Sequence, residues 1–166
     1  FLLQKIEQVL SNYEIIHCNF MVKAPGQGFI NAHQHPPLLK DFNRKAVTIW
    51  CPLVDSDETN GTLQVIEGSH NILSEIPLPF IKPCFRDFEP ILFEKYMTPV
   101  PAKAGVGVIF DDNLIHGSEK NNSPEFRPAV QITCAPIDSE LIYLFESQNP
   151  AESDFEMYEI NKVIFS

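Results

Sequence analysis

The stretch Leu114-Ile-His-Gly-Ser-Glu-Lys-Asn-Asn-Ser-Pro-Glu-Phe-Arg-Pro-Ala-Val-Gln-Ile-Thr-Cys-Ala135 decides how the chain is read. Leu114 to His116 is a short apolar run, and Arg127 to Ala135 is a longer strand. Between them lies Asn121-Asn122-Ser123-Pro124, a cluster of turn formers. The midpoint of His116 and Arg127 falls between Asn121 and Asn122. A hairpin closing there sets His116 opposite Arg127 on adjacent strands, with Cβ atoms about 5 Å apart. An imidazole, a common ligand of transition metals, then faces a guanidinium, the side chain best shaped to grip a carboxylate.

The same alternation of short apolar runs and polar turns continues outward. Gly107 to Phe110 precedes this stretch and Leu141 to Phe145 follows it, both as strands. Glu14 to Lys23 is a strand ended by Ala24-Pro25-Gly26, and Phe29 to His35 is a second extended run. Ala46 to Val54 is a third, with Val47, Ile49 and Cys51 on one face and Thr48 and Trp50 on the other. Asn60-Gly61 marks a tight turn into Thr62 to Ile66, and these last two runs are expected to pair as a hairpin. Lys23, at a strand end, is expected to be solvated. Helical periodicity is clear only over residues 2 to 10, where Leu2, Leu3, Ile6, Val9 and Leu10 form one stripe. The acidic tail from Glu152 to Glu159 suggests a second helix, capped at Asn149 with Pro150 at its first position. Ser74 to Pro101 holds six prolines and little periodicity, as expected of a lid-like loop. Many short strands with polar turns predict an all-β sandwich or barrel.

Composition bounds the rest. A chain of 166 residues is one domain in size, 1–166. Folding buries roughly 70% of the surface of a chain this long, so a core needs no staples. Hydrophobic residues make up 44% and charged residues 20%, which excludes intrinsic disorder. The net charge of −10 and the three arginines leave no basic stripe for nucleic acid. No apolar run approaches the roughly 18 residues of a membrane span. The start shows no signal-peptide pattern, and opening on Phe1 reads as a fragment or processed form. The four cysteines show no CxxC; Cys18, Cys51 and Cys134 lie in apolar runs and are expected as reduced core thiols of a cytoplasmic protein.

His33-Gln34-His35 is the other chemical signal. Side chains at i and i+2 of a strand share a face, so both imidazoles can converge on one point. No P-loop, GxGxxG or nucleophile elbow competes with it.

Taken together, His33-Gln34-His35, Trp50-Cys-Pro-Leu-Val-Asp55, Asn60-Gly-Thr-Leu-Gln-Val-Ile-Glu-Gly-Ser-His70, Phe110-Asp-Asp-Asn-Leu-Ile-His-Gly-Ser118 and Arg127-Pro-Ala-Val130 resemble the phytanoyl-CoA dioxygenase family. The resemblance runs over roughly residues 17 to 135. It implies a double-stranded β-helix, or jelly-roll, here with a short N-terminal helix. It also implies a non-haem Fe(II)- and 2-oxoglutarate-dependent dioxygenase that consumes O₂ and hydroxylates a small molecule. His33 matches the first histidine of the family's HxD motif, and His116 its distal histidine. Arg127 matches the arginine that binds the far carboxylate of 2-oxoglutarate. Ser118, Trp50 and Asn19 match positions around the cosubstrate, and His70 belongs to a structural turn.

The departure is His35, which stands where the family has aspartate. Three neutral ligands would leave a ferrous ion its full charge. His35 as a third imidazole, a substitute carboxylate from Asp41, Asp111 or Asp112, and a weakened or inactive site are all consistent with the sequence. Two other classes stay in view: a jelly-roll that binds metal or ligand without turnover, and a three-histidine metalloenzyme that uses no 2-oxoglutarate. Arg127 speaks against the latter, which has no need of that guanidinium.

Overall fold

The computed structural model describes residues 2–72, 85–147 and 155–160. The chain begins with helix α1 (Leu2–Val9), then runs through β1 (Tyr13–Lys23), β2 (Ile30–His33), β3 (Val47–Pro52) and β4 (Leu63–Val65). Helices α2 (Ser69–Ile72) and α3 (Glu89–Lys95) follow. They lead to β5 (Thr98–Val100), β6 (Val108–Asp111), β7 (His116–Ser118), β8 (Arg127–Pro136), β9 (Leu141–Glu146) and β10 (Phe155–Ile160). One antiparallel sheet has the order β1-β8-β3-β6, and a second has the order β2-β7-β4-β5. Strands β9 and β10 form a separate ribbon. Two four-stranded antiparallel sheets with strands alternating between them are the jelly-roll expected from the sequence. Among the described residues no helix is long and apolar enough to cross a membrane.

Period two sorts the side chains. On β3, Ile49 packs with Ile6, Ile132 and Cys134 beneath α1, while Trp50 packs with Leu63, Val65, Phe110, Leu114 and Ala129. The latter group joins residues of both sheets and is the core between them. Cross-strand partners share a face. The β1–β8 register therefore puts Lys23 with Arg127, Met21 with Ala129 and Asn19 with Gln131 on one side of the first sheet. On the second sheet Ala32, Met97 and Ile115 pack with Phe85, Leu92 and Phe93.

Two expected hairpins do not form. Strands β3 and β4 lie in different sheets, and so do β7 and β8. Alternation shows that Trp50 and Leu63 are buried but not whether they lie beside or across from each other. Burying both requires them to face one another, so the chain crosses the core between them. Asp55 to Asn60 makes that crossing. There Ser56 exchanges backbone hydrogen bonds with Ala102, and Asn60 Oδ1 accepts from the Asp57 amide at 3.0 Å. Gly61 then turns with φ +74°, where a Cβ would stand 2.5 Å from the Glu119 carbonyl.

The crossing from β7 to β8 is tied by Asn121, which is fully buried. Its Nδ2 donates to the carbonyls of Lys23 (3.1 Å) and Glu125 (2.7 Å), and its Oδ1 accepts from the amide and hydroxyl of Ser123. His116 pairs with His33 and Val65, and Arg127 pairs with Lys23.

Other expected elements differ in the fold. Phe155–Ile160 is a strand, since pairing with β9 outweighs local helical preference; the cap at Asn149 and Pro150 lies outside the described residues. Residues 85–100 of the expected lid hold a 3₁₀ turn, α3 and β5, because Phe85, Leu92 and Phe93 find an apolar sheet to cover. Cys134 is buried, but Cys18 is exposed on a face of β1 that nothing described covers.

Asn121→Ala should lower stability by about 2 to 4 kcal/mol, because it orphans buried carbonyls. Asn122→Ala, at an exposed neighbour, should change it by less than about 0.5 kcal/mol. Urea unfolding of both variants checks this difference.

Candidate metal centre and anion pocket

β2 and β7 bring the histidines together. Register sets His33 against His116, and the chain leaving β2 carries His35 over the same spot. Ring centroids lie 4.2 Å apart for His33–His116, 4.6 Å for His35–His116 and 5.6 Å for His33–His35. One ring nitrogen from each lies within 4.8 Å of the others. Three nitrogens converging in this way could hold one metal ion.

Hydrogen bonds fix which nitrogen is free. His33 Nδ1 donates to the Asn31 carbonyl at 2.8 Å, and His116 Nδ1 to the Leu114 carbonyl at 2.8 Å. A carbonyl only accepts, so Nδ1 carries the proton and Nε2 keeps its lone pair. His35 Nδ1 lies 3.1 Å from Asp112 Oδ1, a carboxylate oxygen that likewise accepts its hydrogen bond. Its Nε2 lies 3.4 Å from the Gln131 amide nitrogen. Burial, and then the neighbouring His35, lower the pKa of His33 to about 4. Burial also holds His116 well below the ordinary histidine value. Both are therefore neutral at pH 7, the state in which imidazole binds metal.

Of the three carboxylates considered from sequence, Asp41 is exposed and accepts from Asn43, and Asp111 accepts from the Asn113 amide at 2.8 Å. Asp112 is buried but meets the cluster through the far side of the His35 ring.

The cavity beside the histidines is lined by Thr48, Trp50, Phe110, Ser118, Arg127 and Gln131, among others. Arg127 is 2% exposed. Its Nη2 donates to the Gly61 carbonyl at 2.9 Å, and its Cζ stands 5.5 Å from the centroid of the Trp50 ring. Nε and Nη1 are buried without partners. Buried donors of this kind are costly unless an acceptor arrives. An anion in the cavity that Arg127 lines would supply the missing acceptors.

Thus Arg127 and His116 share the cavity even though their strands do not pair. Ser118 and Trp50 line it as well, whereas Asn19, opposite Gln131, is exposed. His70 sits outside it, with Nδ1 buried and unpartnered.

Sequence reasoning missed the burial of Lys23, and it weighed Asp112 only as a substitute carboxylate ligand. Lys23 is 3% exposed rather than solvated. Its Nζ donates to Ser118 Oγ at 2.6 Å and to the Glu119 carbonyl. Burial, and then the Arg127 charge, lower its pKa to about 7. The only sequence signal was the count from Lys23 to the turn at Pro25, which reads as a solvated end unless the partner strand is known.

The depressed histidines make stability pH-dependent. The unfolded chain protonates them near 6.5, and the fold protonates His33 near 4. Between these values the unfolded state binds more protons, so stability falls as pH drops from about 6.5 to about 4. The slope is up to about 1.4 kcal/mol per pH unit for each histidine. His116 acts in the same direction. Urea midpoints of chelator-treated protein across this window should fall with acid, and His33→Gln should flatten the slope. An unchanged slope would show that His33 is not held neutral by burial.

Comparison with known proteins follows this geometry. The phytanoyl-CoA dioxygenase (PhyH) family profile matches residues 2–129. Phytanoyl-CoA dioxygenase 1 of Oryza sativa subsp. japonica is 31% identical over 126 residues, covering 71% of this chain and 43% of its own length. Ectoine dioxygenase of Nocardia farcinica (strain IFM 10152) is 26% identical, covering 64% and 40%. The chain therefore spans less than half the length of these curated relatives. Among solved structures, the non-haem α-ketoglutarate-dependent carbocyclase SnoK from nogalamycin biosynthesis superposes with a TM-score of 0.65 at 21% identity, covering 78% of this chain and 52% of its own. HygX from Streptomyces hygroscopicus, with nickel, 2-oxoglutarate and hygromycin B bound, gives 0.60 at 15% identity, covering 82% and 62%. At these identities the structures speak for the fold, and the sequence matches speak for the lineage: this chain belongs to the phytanoyl-CoA dioxygenase family.

Proposed function

We propose that the chain is the catalytic jelly-roll of an Fe(II)- and 2-oxoglutarate-dependent dioxygenase that hydroxylates a small molecule. One observation carries this reading: three imidazoles converge within 4.8 Å, and two of them, His33 and His116, line one cavity with a buried guanidinium that has unpartnered N–H groups. The donor set fits the metal, and the orphaned guanidinium fits a dicarboxylate.

His33, His35 and His116 would hold the iron, and Arg127 the far carboxylate of 2-oxoglutarate. With both bound, the centre supplies oxidative decarboxylation of 2-oxoglutarate by O₂, yielding succinate and CO₂ as the substrate gains a hydroxyl. The protein's part is binding and orientation. The carbonyls of Asn31 and Leu114 lock two imidazoles with Nε2 inward. The Gly61 carbonyl aims the guanidinium. Trp50 and Phe110 form apolar walls that exclude water. Ser118 would add a hydroxyl to the carboxylate end, with Asn19 at its outer margin. The single domain 1–166, a cytoplasmic location and the absence of a nucleic-acid partner are part of the same proposal, supported by size and a net charge of −10.

The second reading is a jelly-roll that binds metal weakly without turnover, and His35 in place of the usual aspartate favours it. Anaerobic titration with Fe(II), with and without 2-oxoglutarate, separates the two. A weak visible charge-transfer band that needs both components supports the oxygenase, and its absence overturns it. Arg127→Ala should weaken 2-oxoglutarate binding by about 2 to 5 kcal/mol and leave metal binding unchanged. Calorimetric affinity equal to that of the native protein would show that the pocket assignment is wrong.

A further inference from the structure

Three neutral imidazoles give a dication no compensating charge. A carboxylate nevertheless stands one ring away. We propose that Asp112 is a positioning residue that acts on the metal through His35, holding its ring with Nε2 inward and supplying the centre's negative charge from behind the ligand. The inference rests on the metal reading above.

Asp112 has the features this role needs. It is 3% exposed. Its Oδ1 accepts from His35 Nδ1 at 3.1 Å and from the Thr48 hydroxyl at 2.7 Å. The Thr48 oxygen is itself 3.1 Å from His35 Nδ1, so one small triangle clamps the imidazole. His33 and His116, by contrast, are held by backbone carbonyls, which carry no net charge. Of the three ligand rings, only His35 has an anion behind it.

A purely structural role is already filled by other groups. The backbone path through Asp112 is secured by its own amide, which donates to the Ala46 carbonyl at 3.3 Å, and by its carbonyl, which accepts from the His35 amide at 2.9 Å. The adjoining turn is capped by Asp111, not Asp112. The carboxylate's second oxygen, Oδ2, is buried without a hydrogen-bond partner. Among the described residues its one ion-pair partner is His35. An anion kept this dry is costly unless a cation lies close by, and the ring it touches leads to the point where the three histidines converge. Carboxylates behind metal-bound imidazoles orient the ring and raise its basicity, and their loss typically costs 10- to 100-fold in metal affinity.

The test uses the whole chain with Co(II) as an optical probe and Fe(II) under anaerobic conditions. Asp112→Asn, which preserves shape and removes charge, should weaken uptake of both metals roughly 10- to 100-fold. It should also shift the Co(II) d–d bands and, without metal, alter the ring-nitrogen NMR signals that report the His35 tautomer. In a His35→Ala background the same change should have little further effect on affinity, a pattern that general loss of packing would not give. Thr48→Val leaves the carboxylate in place but less firmly aimed, and should weaken uptake in the same direction by a smaller factor. It tests the same contact should the amide variant not fold. Native metal affinity in Asp112→Asn or Thr48→Val, or an equal loss with and without His35, overturns the proposal alone. Failure of the unmodified chain to bind either metal overturns the metal reading and this inference with it.

Discussion

One buried amide holds the end of the sandwich where the site is built. Asn121 donates to strand β1 at Lys23 and to the entrance of β8 at Glu125, and its backbone exchanges hydrogen bonds with Gly26 and Gln27 in the loop after β1. It thus joins the end of one sheet's edge strand to the crossing that leaves the other sheet. Lys23, Ser118 and Arg127 are all fixed from this junction. Their close approach works only because Gly61 lets the chain pass within contact of the Glu119 carbonyl. A loose crossing would leave the guanidinium and the histidines on separately moving sheets.

The two ends of the cavity are built by opposite means. At the histidine end, His33 and His116 are kept neutral by burial, and their orientation is set from outside by acceptors. At the guanidinium end Lys23 and Arg127 are buried side by side, and burial, then their mutual repulsion, lowers the pKa of Lys23 to about 7. Such an arrangement persists when the surrounding structure enforces it and a ligand of opposite charge relieves it. The apolar layer of Trp50, Leu63 and Phe110 between and beneath them keeps both ends dry, so each charge acts at low effective dielectric.

What the sequence made legible follows from the range of each signal. Strand positions and inward faces were readable because period two is local: Thr48 and Trp50 point inward, and Val47 and Ile49 outward, as alternation requires. Pairing was not readable, because both a hairpin and a crossing bury the same residues; β3–β4 and β7–β8 were misassigned for that reason. His33, His116 and Arg127 were found through their motifs. Lys23 was read as a solvated strand end, and Asp112 only as a substitute ligand, because their partners lie 95 and 77 positions away. The tail was misread because acidic composition marks a helix only when no neighbouring strand offers a ladder.

The pairing of β1 with β8 has a kinetic consequence. Tyr13 stands opposite Pro136, and Lys23 opposite Arg127, so the first strand made is among the last to find its place. β2 waits similarly for β7, and β3 for β6 and β8. Loop closure must come before these contacts can reward it, and all-β domains of this kind fold on the order of milliseconds to seconds. During synthesis His33 and His35 emerge long before His116 exists. The three-histidine cluster cannot assemble on the nascent chain and waits until the sandwich has closed.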